Sequence, residues 1–103
     1  MPMPAPTAPP PLPFIETYSI RISGRVQGVG YRAAAVRQAH LIGVKGWIRN
    51  VDDGTVEGII QGGADHIDLM LEWLRGGPPG ARVISVDSQR ESNDRRFGHF
   101  EQR

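Results

Sequence analysis

The residues of this chain best suited to chemistry fall in one run, Gly24-Arg25-Val26-Gln27-Gly28-Val29-Gly30-Tyr31-Arg32, which joins a strand-like pattern to a helical one through a glycine turn. Gly28 and Gly30 carry no Cβ to shield their backbone N–H groups. The next helix leaves its first-turn donors unpaired at the positive end of its dipole. Arg32 adds a fixed positive charge at the same place. A cation in the first turn opposes the helix dipole by roughly 0.3–1 kcal/mol, so a bound anion compensates a placement that the helix alone disfavours. A phosphate group satisfies the amides and the guanidinium together.

Other chemistries find little support. The chain has no cysteine, which removes disulfides, thiolate metal sites and cysteine nucleophiles. His40, His66 and His99 lack metal-ligand spacing, and no metal or cofactor is expected. Twelve Lys plus Arg against eleven Asp plus Glu give a net charge of +1 with no basic block, so nucleic acid is not an expected partner. No run of 18 apolar residues and no basic-then-apolar leader appears, which predicts a protein of the cytoplasm without a membrane partner. Gly28-x-Gly30-x-x-Ala33 also fits a loosened dinucleotide fingerprint, with Asp52 about 20 residues on. A doubly wound parallel sheet needs more chain than this, and Asp53-Gly54 turns the next strand into an antiparallel partner instead.

The elements that must position the loop are legible from periodicity. Tyr18, Ile20 and Ile22 alternate with polar residues, predicting a strand over Thr17–Ser23. Tyr31, Ala35, Ala39 and Ile42 give a helical stripe that ends at Gly43. Val44–Asn50 and Thr55–Gln61 read as a hairpin around Asp52-Asp53-Gly54. Ile67, Met70, Leu71 and Leu74 define a second helix over Asp65–Leu74, stopped by Gly76. After the loop Gly76-Gly77-Pro78-Pro79-Gly80, a strand is expected over Ala81–Ser88 and a short last one over Phe97–Phe100. Gln89–Arg96 between them reads as a solvated connection.

Strand, helix, strand, strand, helix, strand is the split βαβ order. It predicts an α+β, ferredoxin-like sandwich (βαββαβ) with an antiparallel sheet and both helices on one face. Met1–Pro13 holds seven prolines and no charge, predicting a disordered tail; the division drawn is tail 1–16 and folded domain 17–103. Pro10–Pro13 matches a short Pro-x-x-Pro ligand pattern, which is common by chance. A domain of this size buries a limited core, so the site is expected to be a surface cradle.

The run Gly24–Arg32 resembles the signature loop of the acylphosphatases. Gly46-Trp47-Ile48-Arg49-Asn50, followed by Asp53-Gly54-Thr55-Val56-Glu57-Gly58, resembles that family's second signature at the expected spacing. Glu72-Trp73-Leu74, Gly77-Pro78 and Ala81-Arg82-Val83 also fit, so the resemblance spans Tyr18–Phe100. It implies hydrolysis of the carboxyl–phosphate bond of small acyl phosphates, without metal and by direct attack of water. By similarity, Arg32 grips the phosphoryl oxygens and Asn50 holds the attacking water. The N–H groups of Gln27, Gly28, Val29, Gly30 and Tyr31 then form the cradle, and Thr55 is expected to support Asn50 by a side-chain hydrogen bond. Inorganic phosphate is expected to inhibit as product, and the protein to be monomeric.

Two departures from the family pattern stand out: Tyr31 where Phe is frequent, and a polar end, Glu101-Gln102-Arg103, which predicts a frayed last strand. Taken alone, Asn50 is a simple turn former, while Arg25, Lys45 and Arg49 read as solvated charges. Trp47 and Trp73 read as packing residues. An RNA-binding sheet needs more exposed aromatics than Trp47 and Tyr18 supply. A relative that binds carbamoyl phosphate or a protein and hydrolyses little, like the related domain of hydrogenase maturation factors, is the remaining alternative. Retention of Arg32 and Asn50 favours catalysis.

Overall fold

The alternation that begins at Tyr18 belongs to a longer strand than the apolar residues alone delimit. In the computed structural model, which describes residues 14–92 and 94–103, β1 runs Ile15–Arg25. It starts two residues before the boundary drawn at residue 17; the proline-rich segment 1–13, with its Pro-x-x-Pro match, lies outside the described residues. The other elements are α1 Tyr31–Ile42, β2 Lys45–Asn50, β3 Val56–Gly63, α2 Ala64–Gly76, β4 Arg82–Arg90 and β5 Phe100–Gln102. Both helices bury the stripes their spacing defines. Tyr31, Ala34, Ala35 and Ala39 face inward from α1, and Ile67, Met70, Leu71 and Leu74 from α2. All of these but Ala34 meet Ile20, Ile22, Ile48, Val56 and Ile60 from the inner face of the sheet in one core.

The sheet order is β4-β1-β3-β2-β5. β3 pairs antiparallel with both β1 and β2, so those two run the same way and end on the same edge of the sheet. That edge carries the glycine loop after β1 and Asn50 at the end of β2. The four main strands form the antiparallel sheet of a ferredoxin-like fold, and β5 adds a parallel edge against β2, making the whole sheet mixed.

The last strand, expected over Phe97–Phe100, starts three residues later, at Phe100. The Phe97 N–H is taken by Oε1 of Gln61, 3.0 Å away, and it is Phe100, 2% exposed, that reaches the core. Nor is the end frayed. The Gly46 N–H donates to His99 O at 3.0 Å and the Arg103 N–H to Ile48 O at 2.8 Å, so pairing with β2 continues on both sides of the strand.

The connection before β5 is more tied down than its charges suggest. Gln89 and Arg90 belong to β4. Gln61, 3% exposed, donates from Nε2 to Thr17 Oγ1 (2.9 Å) and Arg95 O (2.6 Å) while accepting from Phe97, which pins the loop over the open face of the sheet. Trp47 lies half-buried on that same face, with the guanidinium groups of Arg49 and Arg103 5.3 and 4.8 Å from its ring centre. Arg49 also pairs with Glu57, so it is not simply a solvated charge.

Candidate active site

The approach to the loop is shaped by a β-bulge. Register between β1 and β4 shifts between Ser23 and Gly24, leaving Ile84 as the extra residue on β4 just where β1 feeds the turn. Bulges bend a strand and redirect the chain beyond it. Gly28 and Gly30 then take φ of +75° and +80°, a conformation that costs a side-chain-bearing residue steric energy, and Gly30 serves as the left-handed N-cap of α1. No side chain caps this helix and no acidic residue occupies its first turn. Among the described residues no acceptor takes the N–H groups of Gly28, Val29, Gly30, Tyr31 or Arg32. Five donors at a positive helix end therefore remain available to an anion.

Two bridges tie this loop to the end of β2. The carboxamide nitrogen of Gln27 donates to Val51 O at 2.7 Å and to Thr55 O at 2.8 Å, bonding to both sides of the β2–β3 turn. Nη1 of Arg32 donates to the main-chain oxygen of Arg103 at 2.8 Å, and the Arg103 N–H is itself fixed to Ile48 O. The bridges reach β2 at Ile48 and just past it at Val51, and Asn50 lies between them. Asn50 is exposed, and among the described residues its side chain has no hydrogen-bond partner. Its amide is thus presented to solvent beside a loop of free N–H groups and one guanidinium.

Thr55 does not support Asn50. Its hydroxyl donates to Asp53 Oδ1 at 2.6 Å and its N–H to the same oxygen at 3.0 Å, an Asx-type closure of the turn. The turn is held as well by Val51 N–H to Thr55 O (2.8 Å) and Gly54 N–H to Val51 O (3.0 Å). Those Thr55 bonds, and the Arg21 guanidinium nearby, hold the Asp53 carboxyl below the usual carboxylate range. Thr55 therefore stabilises the turn that Gln27 reads. Sequence reasoning assigns Gln27 only a backbone N–H and misses its carboxamide; a long polar side chain inside a glycine loop is the signal that could have found it.

Val29 and Tyr31 anchor the loop from below. Val29 packs on the core, and Tyr31 is 1% exposed, so each offers the site only its backbone. Burial pushes the Tyr31 phenol well above its ordinary pKa, which keeps it neutral and a hydrogen-bond donor. Of the histidines, the ring of His40 meets Phe100 O, and that of His99 meets Glu101.

The site thus combines a loop of free amides at the end of one strand of a small α+β sandwich with an asparagine that ends the parallel neighbour but one, on the same edge of the sheet. The family model described as acylphosphatase matches residues 18–102. An acylphosphatase of Paraburkholderia xenovorans is 56% identical over 88 residues, covering 85% of this chain and 91% of that protein. The solved structure of an acylphosphatase from Coxiella burnetii superposes with a TM-score of 0.82 at 31% identity, covering 86% of this chain and 93% of that one. The acylphosphatase from Bacillus subtilis gives 0.81 at 29%, covering 84% and 97%. The chain belongs to the acylphosphatase family, hydrolases that act on the anhydride between a carboxylate and phosphate. Among the described residues no helix is long and apolar enough to cross a membrane.

Proposed function

We propose that this chain hydrolyses small acyl phosphates in the cytoplasm, as a monomer and without a metal, by direct attack of water on phosphorus. The amides of Gln27–Tyr31 and the Arg32 guanidinium hold the phosphoryl oxygens, and Asn50 Oδ1 accepts a hydrogen bond from the attacking water. The new bond forms from water oxygen to phosphorus as the bond from phosphorus to the carboxyl oxygen breaks. The acyl group leaves as a carboxylate, and the protons of the water stay with the inorganic phosphate. Phosphoryl transfer asks the protein mainly for position and for charge stabilisation on the equatorial oxygens. A carboxylate leaves readily, so an amide oxygen suffices to aim the water and no stronger base is needed. Arginine suits the clamp because its planar fork bonds two oxygens at once.

The observation that carries this reading is the pair of bridges, Gln27 to Val51 and Arg32 through Arg103 to Ile48, which bracket Asn50 against the anion loop. The test is hydrolysis of benzoyl phosphate with a chelator present, together with inorganic phosphate as competitor. Chelator-resistant turnover and competitive inhibition by phosphate are expected. Asn50→Ala should lose about 10²–10³-fold in kcat with phosphate affinity kept, and Arg32→Ala should lose both. Equal losses of phosphate binding in the two variants would remove the separate roles. Absence of turnover from the folded wild type would leave a phosphate-binding module.

A further inference from the structure

Tyr31 is the first residue of α1 and the last amide of the anion loop, yet its ring points away from the site into the sandwich. Its hydroxyl donates to Leu74 O at 2.7 Å and its ring lies tilted against Trp73, with centroids 5.9 Å apart. The reason that carbonyl is available is in the sequence. Four residues beyond Leu74 stands Pro78, which has no N–H, so the helical bond Leu74 O would accept does not form. The phenol takes its place. Gly77 completes the socket: at φ +67° it turns the chain out of α2, and a Cβ there would stand 2.9 Å from Cε2 of Tyr31.

We infer that Tyr31 is a positioning residue for the phosphoryl site, its hydroxyl bond to Leu74 and the bare Cα of Gly77 indexing the anion loop to the C-terminal end of α2. A ring held only by contact can slide along its socket, whereas a directional bond at its tip fixes its depth. The depth of the ring sets where the N–H of Tyr31 and the backbone of Arg32 stand, because both are within one residue of its Cα. Loop geometry in this chain then depends on the segment Gly77-Pro78, which touches no phosphate. The inference rests on the phosphate reading of the loop.

The test uses the whole chain and three variants, measuring the dissociation constant of inorganic phosphate, KM and kcat for benzoyl phosphate, and Tm. Tyr31→Phe keeps the ring and removes the donor. It should weaken phosphate binding and raise KM by the same factor, about fivefold, while kcat changes by less than about twofold, the expected result when a loop populates its binding geometry less often. Gly77→Ala should shift the same two constants in the same direction by pushing the ring out. Trp73→Phe thins the socket wall without touching the bond, so it should lower Tm and leave phosphate affinity alone. The inference is overturned if Tyr31→Phe lowers Tm with phosphate affinity and KM unchanged, or if Trp73→Phe weakens phosphate as much as Tyr31→Phe does. A wild type that neither binds phosphate nor turns over fails the phosphate reading itself, a separate and recognisable result.

Discussion

The carboxamide nitrogen of Gln27 lies 2.7 Å from the carbonyl oxygen of Val51, the residue after Asn50. β1 and β2 are not neighbours in the sheet: β3 runs between them, with Val56 opposite both Ile22 and Asn50, so no backbone ladder joins the loop after β1 directly to the end of β2. Besides Arg32, which reaches β2 through Arg103, the Gln27 side chain spans that gap.

Removing it should therefore act on geometry more than on phosphate contact. Gln27→Ala is expected to lower kcat for benzoyl phosphate about tenfold to a hundredfold, the range that a displacement of roughly 1 Å between reacting groups can cost. It should also destabilise the fold by about 1–3 kcal/mol, because the carbonyls of Val51 and Thr55 each lose a donor. Steady-state kinetics beside chemical denaturation separate the two effects. Unchanged kcat in a folded variant would show that the turn holds its place without Gln27.

Gln61 offers the opposite separation, stability without catalysis. Its side chain satisfies Thr17, Arg95 and Phe97 at the far end of the sheet from Asn50. Gln61→Leu should cost about 2–4 kcal/mol, since it takes from the buried Thr17 hydroxyl and the half-buried Phe97 N–H the partner they have in Gln61. On a domain of this size a loss of that order lowers Tm by about 10–20 °C. kcat and KM at temperatures where the variant is folded should match the wild type. A fall in kcat under those conditions would mean that the loop over the open face communicates with the site.

Asp53 gives a pH signature to the same turn. The bonds from Thr55 lower its pKa in the folded protein, so the unfolded chain takes up the proton first as pH falls. The turn's contribution is fully present above the ordinary aspartate pKa of about 3.9 and is lost as pH drops through the lower, folded value. Asp53→Asn should then be less stable than the wild type near pH 7, with the difference vanishing once pH is below the folded pKa. Thermal unfolding of both proteins from pH 2 to pH 7 measures it. A difference that stays constant to pH 2 would assign the loss to packing and not to the charge.

What the sequence determined by itself is local. The apolar spacing of Ile67, Met70, Leu71 and Leu74 defines which face of α2 is buried, because a helix repeats every 3.6 residues whatever surrounds it. The glycines and Arg32 predict an anion loop for the same reason: free N–H groups and a fixed charge are properties of adjacent residues. Family resemblance added Asn50, whose own spacing says only that a turn comes next. What tertiary structure alone decided is everything that depends on which carbonyl comes within reach of which long side chain. Gln27 meets Val51 across an intervening strand, Thr55 turns to Asp53 and not to Asn50, Gln61 catches Phe97 and delays the last strand to Phe100, and the Tyr31 hydroxyl finds the carbonyl that Pro78 leaves open. Such bonds join residues 24 to 43 positions apart, or bend back over two. Side-chain type states that a donor exists, and only the packed sheet and helices bring an acceptor to within about 3 Å of it.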